Sequence, residues 1–442
     1  MDSIFLKNIT LDGKQVDILV KDGKIAKITR AGGSTPLTNH GSTPSRSLSG
    51  VEGLSGVEGL IIDCTGKTAM PGFVNAHTHA AMSLMRGIGE DMVLHDWLDH
   101  IWRIESHLDR PFVYSATKVA NLEMIKTGTT SFNDMYWHSR MAMKATEETG
   151  LRGLFSYTCL DNFDPEITAR QKDECATMYE MVKDNLGRQQ FAVSIHAVYT
   201  VSEPMILWAT EFARKRGLRI HIHLCETRRE VKDCKAAHGG LSPVEYFDSL
   251  GILGPDVIAA HSLWLSEKDV EILGRRGVNC VHNINSNLKL ASGYRFLYKE
   301  LKDAGANVCL GTDGCASSNN LDMLEAMKTA AIVEKAWRDD PTVLPLNELL
   351  NMVTINGGKA LGLKTGKIEE GWDADIQIID TDSTFFLSPA PFLANFIYSA
   401  HSDCISSLIA GGRLVMRDRK VQGEEDILEG GRQSLETIVN QL

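Results

Sequence analysis

Phe191-Ala-Val-Ser-Ile-His-Ala-Val198 and Arg219-Ile-His-Ile-His-Leu-Cys-Glu226 are short, mostly apolar runs, and the segment between them, 203–216, repeats apolar residues at helical spacing before Gly217. A strand, a helix closed by a C′ glycine and a second strand are the simplest reading of that pattern. The same alternation extends over 70–363. Candidate strands fall at 72–76, 129–133, 151–157, 191–198, 219–226, 257–261, 279–284 and 307–313, with helical patterns such as 111–126, 166–186, 266–275 and 321–337 between them. Gly150, Gly217, Gly277 and Gly305 stand just before strands, where helices end. Repeated strand–helix units imply a parallel sheet, and eight of them suit a closed barrel better than an open sheet. An open dinucleotide-binding sheet would carry a glycine-rich phosphate turn after its first strand, and the sequence has none there. The expected class is therefore α/β, a (β/α)8 TIM barrel.

The ends of the chain have a different texture. Residues 4–11 and 16–28 alternate apolar and polar positions around Asp22-Gly23, as a β-hairpin does. The stretch 31–59 is rich in Gly, Ser, Thr and Pro and holds a tandem hexapeptide at 48–59, which reads as a duplicated loop insertion, since two copies cannot make a solenoid. Beyond Leu363, 376–379 and 407–416 are again strand-like. Neither end has strands enough to bury a face alone, so the two are expected to pair into one β-sandwich. The boundaries that follow are 1–68 for its N-terminal half, 69–363 for the barrel, 364–424 for its C-terminal half and 425–442 for an exposed terminal helix.

Composition narrows the function classes. With 43% hydrophobic and 23% charged residues, the 442-residue chain has material for a large core. Its 46 Lys and Arg against 57 Asp and Glu leave a net charge of −11, without a basic block, which argues against a nucleic-acid partner. No apolar run is long enough for a membrane span and the N-terminus does not resemble a signal peptide, so a cytoplasmic location is expected. The nine cysteines contain no C-x-x-C pair and read as reduced, structural residues. The expected partner is a small-molecule substrate, with homo-oligomerisation left open.

Half of the 14 histidines sit in or just after candidate strands: His77, His79, His196, His221, His223, His261 and His282. In a TIM barrel the C-terminal ends of the strands form the active-site face. His77-Thr-His79 places two imidazoles on one side of an extended chain. With His223 and Asp313 they make a three-nitrogen, one-oxygen shell with a position to spare, suited to a divalent metal: zinc first, iron or manganese as alternatives. Glu226, at the end of the fifth strand, would hang over a water carried by such an ion and act as general acid and base, and His261 would hydrogen-bond the water or a developing oxyanion.

Pro71-Gly-Phe-Val-Asn-Ala-His77-Thr-His79, His223-Leu-Cys-Glu226, Ala260-His261, Gly311-Thr-Asp313-Gly-Cys-Ala-Ser317 and Gly366-Lys-Ile-Glu-Glu-Gly-Trp-Asp-Ala-Asp375 together resemble the amidohydrolase superfamily, in its chlorohydrolase and nucleoside-deaminase branch. The resemblance, running from the first hairpin to about Met416, implies a distorted (β/α)8 barrel, a composite β-sandwich and one divalent metal. It matches His77, His79, His223 and Asp313 to the metal ligands, Glu226 to the proton shuttle, with Asp313 sharing in proton transfer, and His261 to the histidine that orients water. Glu105, His196 and Ser317 resemble substrate contacts. Tyr157 stands where the methylthioadenosine and S-adenosylhomocysteine deaminases of this branch keep a carboxylate-binding arginine, and a phenol cannot neutralise a carboxylate. The expected activity is hydrolytic deamination of an amino-substituted heterocycle, foremost an adenosine-type nucleoside: adenosine, 5′-deoxyadenosine or 5′-methylthioadenosine. Hydrolysis of another C–N, C–Cl or C–S bond is the alternative, and an inactive barrel serving as a scaffold is the reading from outside enzymology.

Overall fold

The structure is a computed structural model and describes residues 3–31, 46–47 and 58–439. All but the last two positions of the tandem hexapeptide lie outside these residues. Eight parallel strands, Phe73–Thr78, Thr129–Met135, Arg152–Cys159, Gln190–Ile195, Arg219–Leu224, Val257–His261, Asn279–His282 and Asn307–Leu310, are hydrogen-bonded in chain order. They are the eight strands expected, and the helices between them cover the outside. The local chemistry explains where those helices begin. Asp164, Ser202 and Ser266 cap helices Pro165–Val182, Glu203–Arg214 and Glu267–Arg276 by accepting their first free N–H groups. Gly150, Gly217, Gly277 and Gly305 all take positive φ where a helix gives way to the next strand.

The ring closes between the eighth strand and the first without a regular ladder. Asn75 Nδ2 donates to Thr312 Oγ1 at 2.7 Å, Thr312 N donates to Asn75 Oδ1 at 3.0 Å, and Asp313 N donates to the His77 carbonyl at 3.0 Å. Gly311 is required for this approach: a Cβ there would lie 2.9 Å from His77 N and 2.6 Å from Asn283 Oδ1. The closure is thus the distortion of the barrel, and it sets Asp313 against His77.

The chain ends join as expected, in one continuous nine-stranded sheet. Lys67–Pro71 from the N-terminal part pairs antiparallel with Ile376–Asp380 from the C-terminal part, Ala69 opposite Ile378. Ile4, Leu6, Ile18, Ile62, Ile376 and Ile409 enclose a core separate from that of the barrel. Asp375, fully buried, ties the sheet to the barrel by accepting from Arg152 and from Gly411 N, which accounts for the conspicuous run ending at Asp375. The terminal helix Glu424–Val439 differs from the freely exposed helix expected: Gly431 and Ile438 are buried, and Lys126 pairs with Glu424 at 2.5 Å. Two buried positions seven apart give too thin a stripe to read from sequence. All nine cysteines are free and buried. Among the described residues no helix is long and apolar enough to cross a membrane.

Candidate active site

The predicted residues converge where the strands end. Several leave their strands through left-handed backbone that non-glycine residues rarely adopt: Cys225 (φ 52°), His261 (φ 71°), Ser262 (φ 45°) and Asp313 (φ 64°). Each such residue costs on the order of 1–3 kcal/mol and persists only where its surroundings hold it, which is common at functional sites.

The imidazoles present the right nitrogens for a cation. His79 Nδ1 lies 2.5 Å from the Met135 carbonyl and His223 Nδ1 2.8 Å from the His196 carbonyl. A carbonyl only accepts, so both Nδ1 atoms carry hydrogen, and in the neutral ring Nε2 is then the nitrogen with the lone pair. His77 Nδ1 is 2.8 Å from His221 Nε2, and His77 Nε2 is 3.1 Å from Asp313 Oδ1, which lies 3.2 Å from His79 Nε2. A tetrahedral ion with bonds of about 2.0–2.1 Å spaces its donor atoms by about 3.3 Å. The donor atoms of His77, His79 and His223 lie within 4.8 Å of one another, as do those of His77, His261 and Asp313. Burial drives His77 down to about 4 and His223 well below the usual histidine range, which favours neutral imidazoles. Burial works against charge at His79 too, but the Asp313 carboxylate raises it to about 9, so this point favours positive charge. Nitrogen and carboxylate donors of this kind fit a divalent ion.

Around the ion position, Glu226 is 7% exposed and burial lifts its carboxyl above the ordinary range. Its Oε2 lies 3.7 Å from His261 Nε2, and its Oε1 accepts from Ser292 at 3.5 Å. His261 is turned toward it by Asn287, whose Oδ1 accepts from His261 Nδ1 at 2.9 Å. One cavity is lined by His79, His223, Glu226, His261 and Asp313 together with Glu105 and His196, and its apolar walls are Trp97, Ile101, Trp102, Tyr136 and Leu290. Burial raises the Glu105 carboxyl and holds His196 down to about 3. A flat, largely apolar ligand with a few polar groups suits such walls.

Two of the expected substrate contacts are placed elsewhere. Ser317, 1% exposed, donates to Asp313 Oδ2 at 2.9 Å, beside Ser286, which donates to the same oxygen at 2.6 Å. The hydroxyl of Tyr157 donates to Glu174 Oε2 at 2.7 Å in a neighbouring cavity, which shares the wall of Tyr136, Trp137 and Thr158 with the first. Side chains alternate along the third barrel strand, so Thr158 lines the first cavity and Tyr157 turns away from it toward Glu174. The roles that sequence reasoning did not assign are those that orient: His221 behind His77, Ser286 behind Asp313, Asn287 behind His261, and the His196 carbonyl behind His223. Only His221 carried a signal, being two residues from His223 and so on the same side of its strand.

The sequence matches the amidohydrolase family over residues 68–415. It is 44% identical over 374 residues to the 5′-deoxyadenosine deaminase of Methanoregula boonei, an alignment covering 84% of each chain. It is 40% identical over 386 residues to 5-methylthioadenosine/S-adenosylhomocysteine deaminase 1 of Archaeoglobus fulgidus, covering 87% of this chain and 90% of the other. Among solved structures, an adenosine deaminase from Xanthomonas campestris with bound zinc superposes with a TM-score of 0.86 at 28% identity, covering 99% and 98% of the two chains. Atrazine chlorohydrolase from Arthrobacter aurescens, at TM-score 0.85 over 98% and 100% of the chains but 20% identity, shares the fold. On the match over most of its length, the strand order and the converging histidines and aspartate, the chain belongs to the amidohydrolase family.

Proposed function

We propose that this protein is a zinc-dependent hydrolytic deaminase of an adenosine-type nucleoside, with His77, His79, His223 and Asp313 holding the ion. The observation that carries the reading is a buried carboxyl, Glu226, whose affinity for a proton is raised by burial and which faces the ion position across a cavity walled by aromatic rings. When bound, the ion lowers the pKa of a water toward ~7 and so supplies the nucleophile at neutral pH. Glu226 takes one proton of the attacking water and delivers it to the ring nitrogen, and the second, from the hydroxyl of the adduct, passes through the same carboxylate to the departing amine. Water adds to the carbon bearing the amino group, the C–N bond breaks, ammonia leaves, and the ring keeps a carbonyl. His261, aimed by Asn287, hydrogen-bonds the developing oxyanion. Asp313 shares in proton movement, and with Oδ2 engaged by Ser286 and Ser317 the oxygen it turns to His77 and His79 is Oδ1.

Glu105 and His196 engage the ribose and purine ends of the substrate, supported by their place on the cavity wall. Ser317 acts on the substrate through Asp313. Tyr157 bears on a 5′ substituent that passes over the wall of Tyr136, Trp137 and Thr158; there it offers a phenol already engaged by Glu174 rather than a cation. A neutral 5′ group is therefore preferred to one bearing a carboxylate. The test is ammonia release by metal-replete protein from adenosine, 5′-deoxyadenosine, 5′-methylthioadenosine and S-adenosylhomocysteine. Turnover of one of the first three with kcat/KM above that of the fourth is expected, and no release from any of the four refutes the reading.

A further inference from the structure

Glu230 is a buried carboxylate that the chemistry above does not use. Thr227-Arg-Arg-Glu230 opens helix Arg228–Ala237 with the sequence of a capping box, in which the carboxylate at the third helical position returns to the N–H of the cap residue. Half of the box is present: Thr227 Oγ1 accepts from Glu230 N at 3.1 Å. The other half is displaced. Glu230 Oε1 accepts from Cys225 N and Oε2 from Glu226 N, both at 2.7 Å. The ladder of the fifth barrel strand ends at Leu224, opposite His261, so these two N–H groups have no strand partner. Cys225 between them is in the left-handed region, and its own carbonyl is taken by Trp264 N at 2.9 Å. The turn that carries the backbone from strand to Glu226 is therefore clamped from both sides. Glu230 is only 4% exposed, so water is a poor substitute for either of its bonds. Both its oxygens act as acceptors, which a carboxylate can do and an amide cannot.

We propose that Glu230 is the positioning residue of the site: by accepting the N–H groups of Cys225 and Glu226 it holds the turn that places the Glu226 side chain over the ion. The inference rests on the assignment of Glu226 as proton carrier. The experiment is a double-mutant cycle on the full chain, with 5′-deoxyadenosine as substrate, ammonia as readout, and metal content measured for each variant. Glu230→Gln keeps one acceptor and should lower kcat by about 10–100-fold at near wild-type KM and metal content. Glu230→Asp keeps the charge but is a methylene short, and should fall between. The double variant Glu226→Gln/Glu230→Gln should match Glu226→Gln within about twofold, because a residue that acts only through Glu226 has nothing left to position. Losses that multiply in the double variant overturn the proposal, as does a Glu230→Gln enzyme with wild-type kcat. Failure of both Glu230 variants to fold and bind metal assigns Glu230 to folding instead. If Glu226→Gln alone keeps wild-type kcat, the assignment of Glu226 has failed, a result distinct from multiplication.

Discussion

Replacing His221 tests the ion site through a residue that touches no ion. For His77 to offer Nε2, its Nδ1 must carry hydrogen and donate to His221 Nε2, 2.8 Å away. His221 must then be neutral, with its own proton on Nδ1, an atom with no partner among the described residues. Burial favours that state, holding His221 well below the usual histidine range. His221→Leu fills the space and leaves the His77 N–H unpaired in a fully buried position. An orphaned buried donor costs about 1–3 kcal/mol, which at about 1.4 kcal/mol per decade is roughly 5–150-fold, and loss of the partner behind a metal-bound histidine typically costs about 10–100-fold in metal affinity. The zinc dissociation constant, read by competition against a chromogenic chelator, should therefore rise by about 10–100-fold. His221→Gln carries an acceptor to about the position of Nε2 and should recover most of the loss. Zinc affinity within about threefold of wild type in His221→Leu, or a glutamine variant as weak as the leucine one, refutes the tautomer argument.

Glu226→Gln should leave metal content and thermal midpoint near wild type while cutting kcat by at least about 100-fold, because the amide keeps the shape but cannot carry the proton, and a positioned acid/base typically contributes about 10²–10⁴; near wild-type turnover would move the role to Asp313. Tyr157→Arg alone should do little for S-adenosylhomocysteine, since Glu174 would claim the new guanidinium, whereas Tyr157→Arg/Glu174→Gln should raise its kcat/KM relative to 5′-methylthioadenosine, mainly through KM. Burial, opposed by the two backbone N–H groups, lifts the Glu230 carboxyl from an ordinary 4.5 to about 7. The folded state therefore binds this proton more tightly than the unfolded chain does, so the stabilisation is complete below pH 4.5 and is lost as the pH rises through about 7. Urea midpoints across that window should decline in wild type and decline less in Glu230→Gln.

Much of this was legible in the chain alone, for reasons that are local. Strands and helices bury different periodicities, so runs such as 191–198 and 219–226, the helix between them and the glycine that ends it announce the barrel unit by themselves. An H-x-H pair must share a side of its strand, and strand ends in a barrel must share a face, so His77, His79, His223 and Asp313 could be brought together before any distance was known. What only the tertiary structure decided is which atom faces which. The period of two cannot say whether Tyr157 or Thr158 looks inward without the register of the neighbouring strand, where Thr158 lies beside Ser194. Ser317 sits in a motif that reads as a substrate contact, yet a four-residue helix turns its hydroxyl onto Asp313. Thr227-Arg-Arg-Glu230 reads as an ordinary capping box because helix caps are local, but the left-handed turn at Cys225 puts two other N–H groups within reach of the carboxylate. Periodicity is a property of neighbours along the chain, whereas the tautomer of His77 and the aim of Glu226 depend on groups more than a hundred residues away or on backbone angles that no residue type dictates.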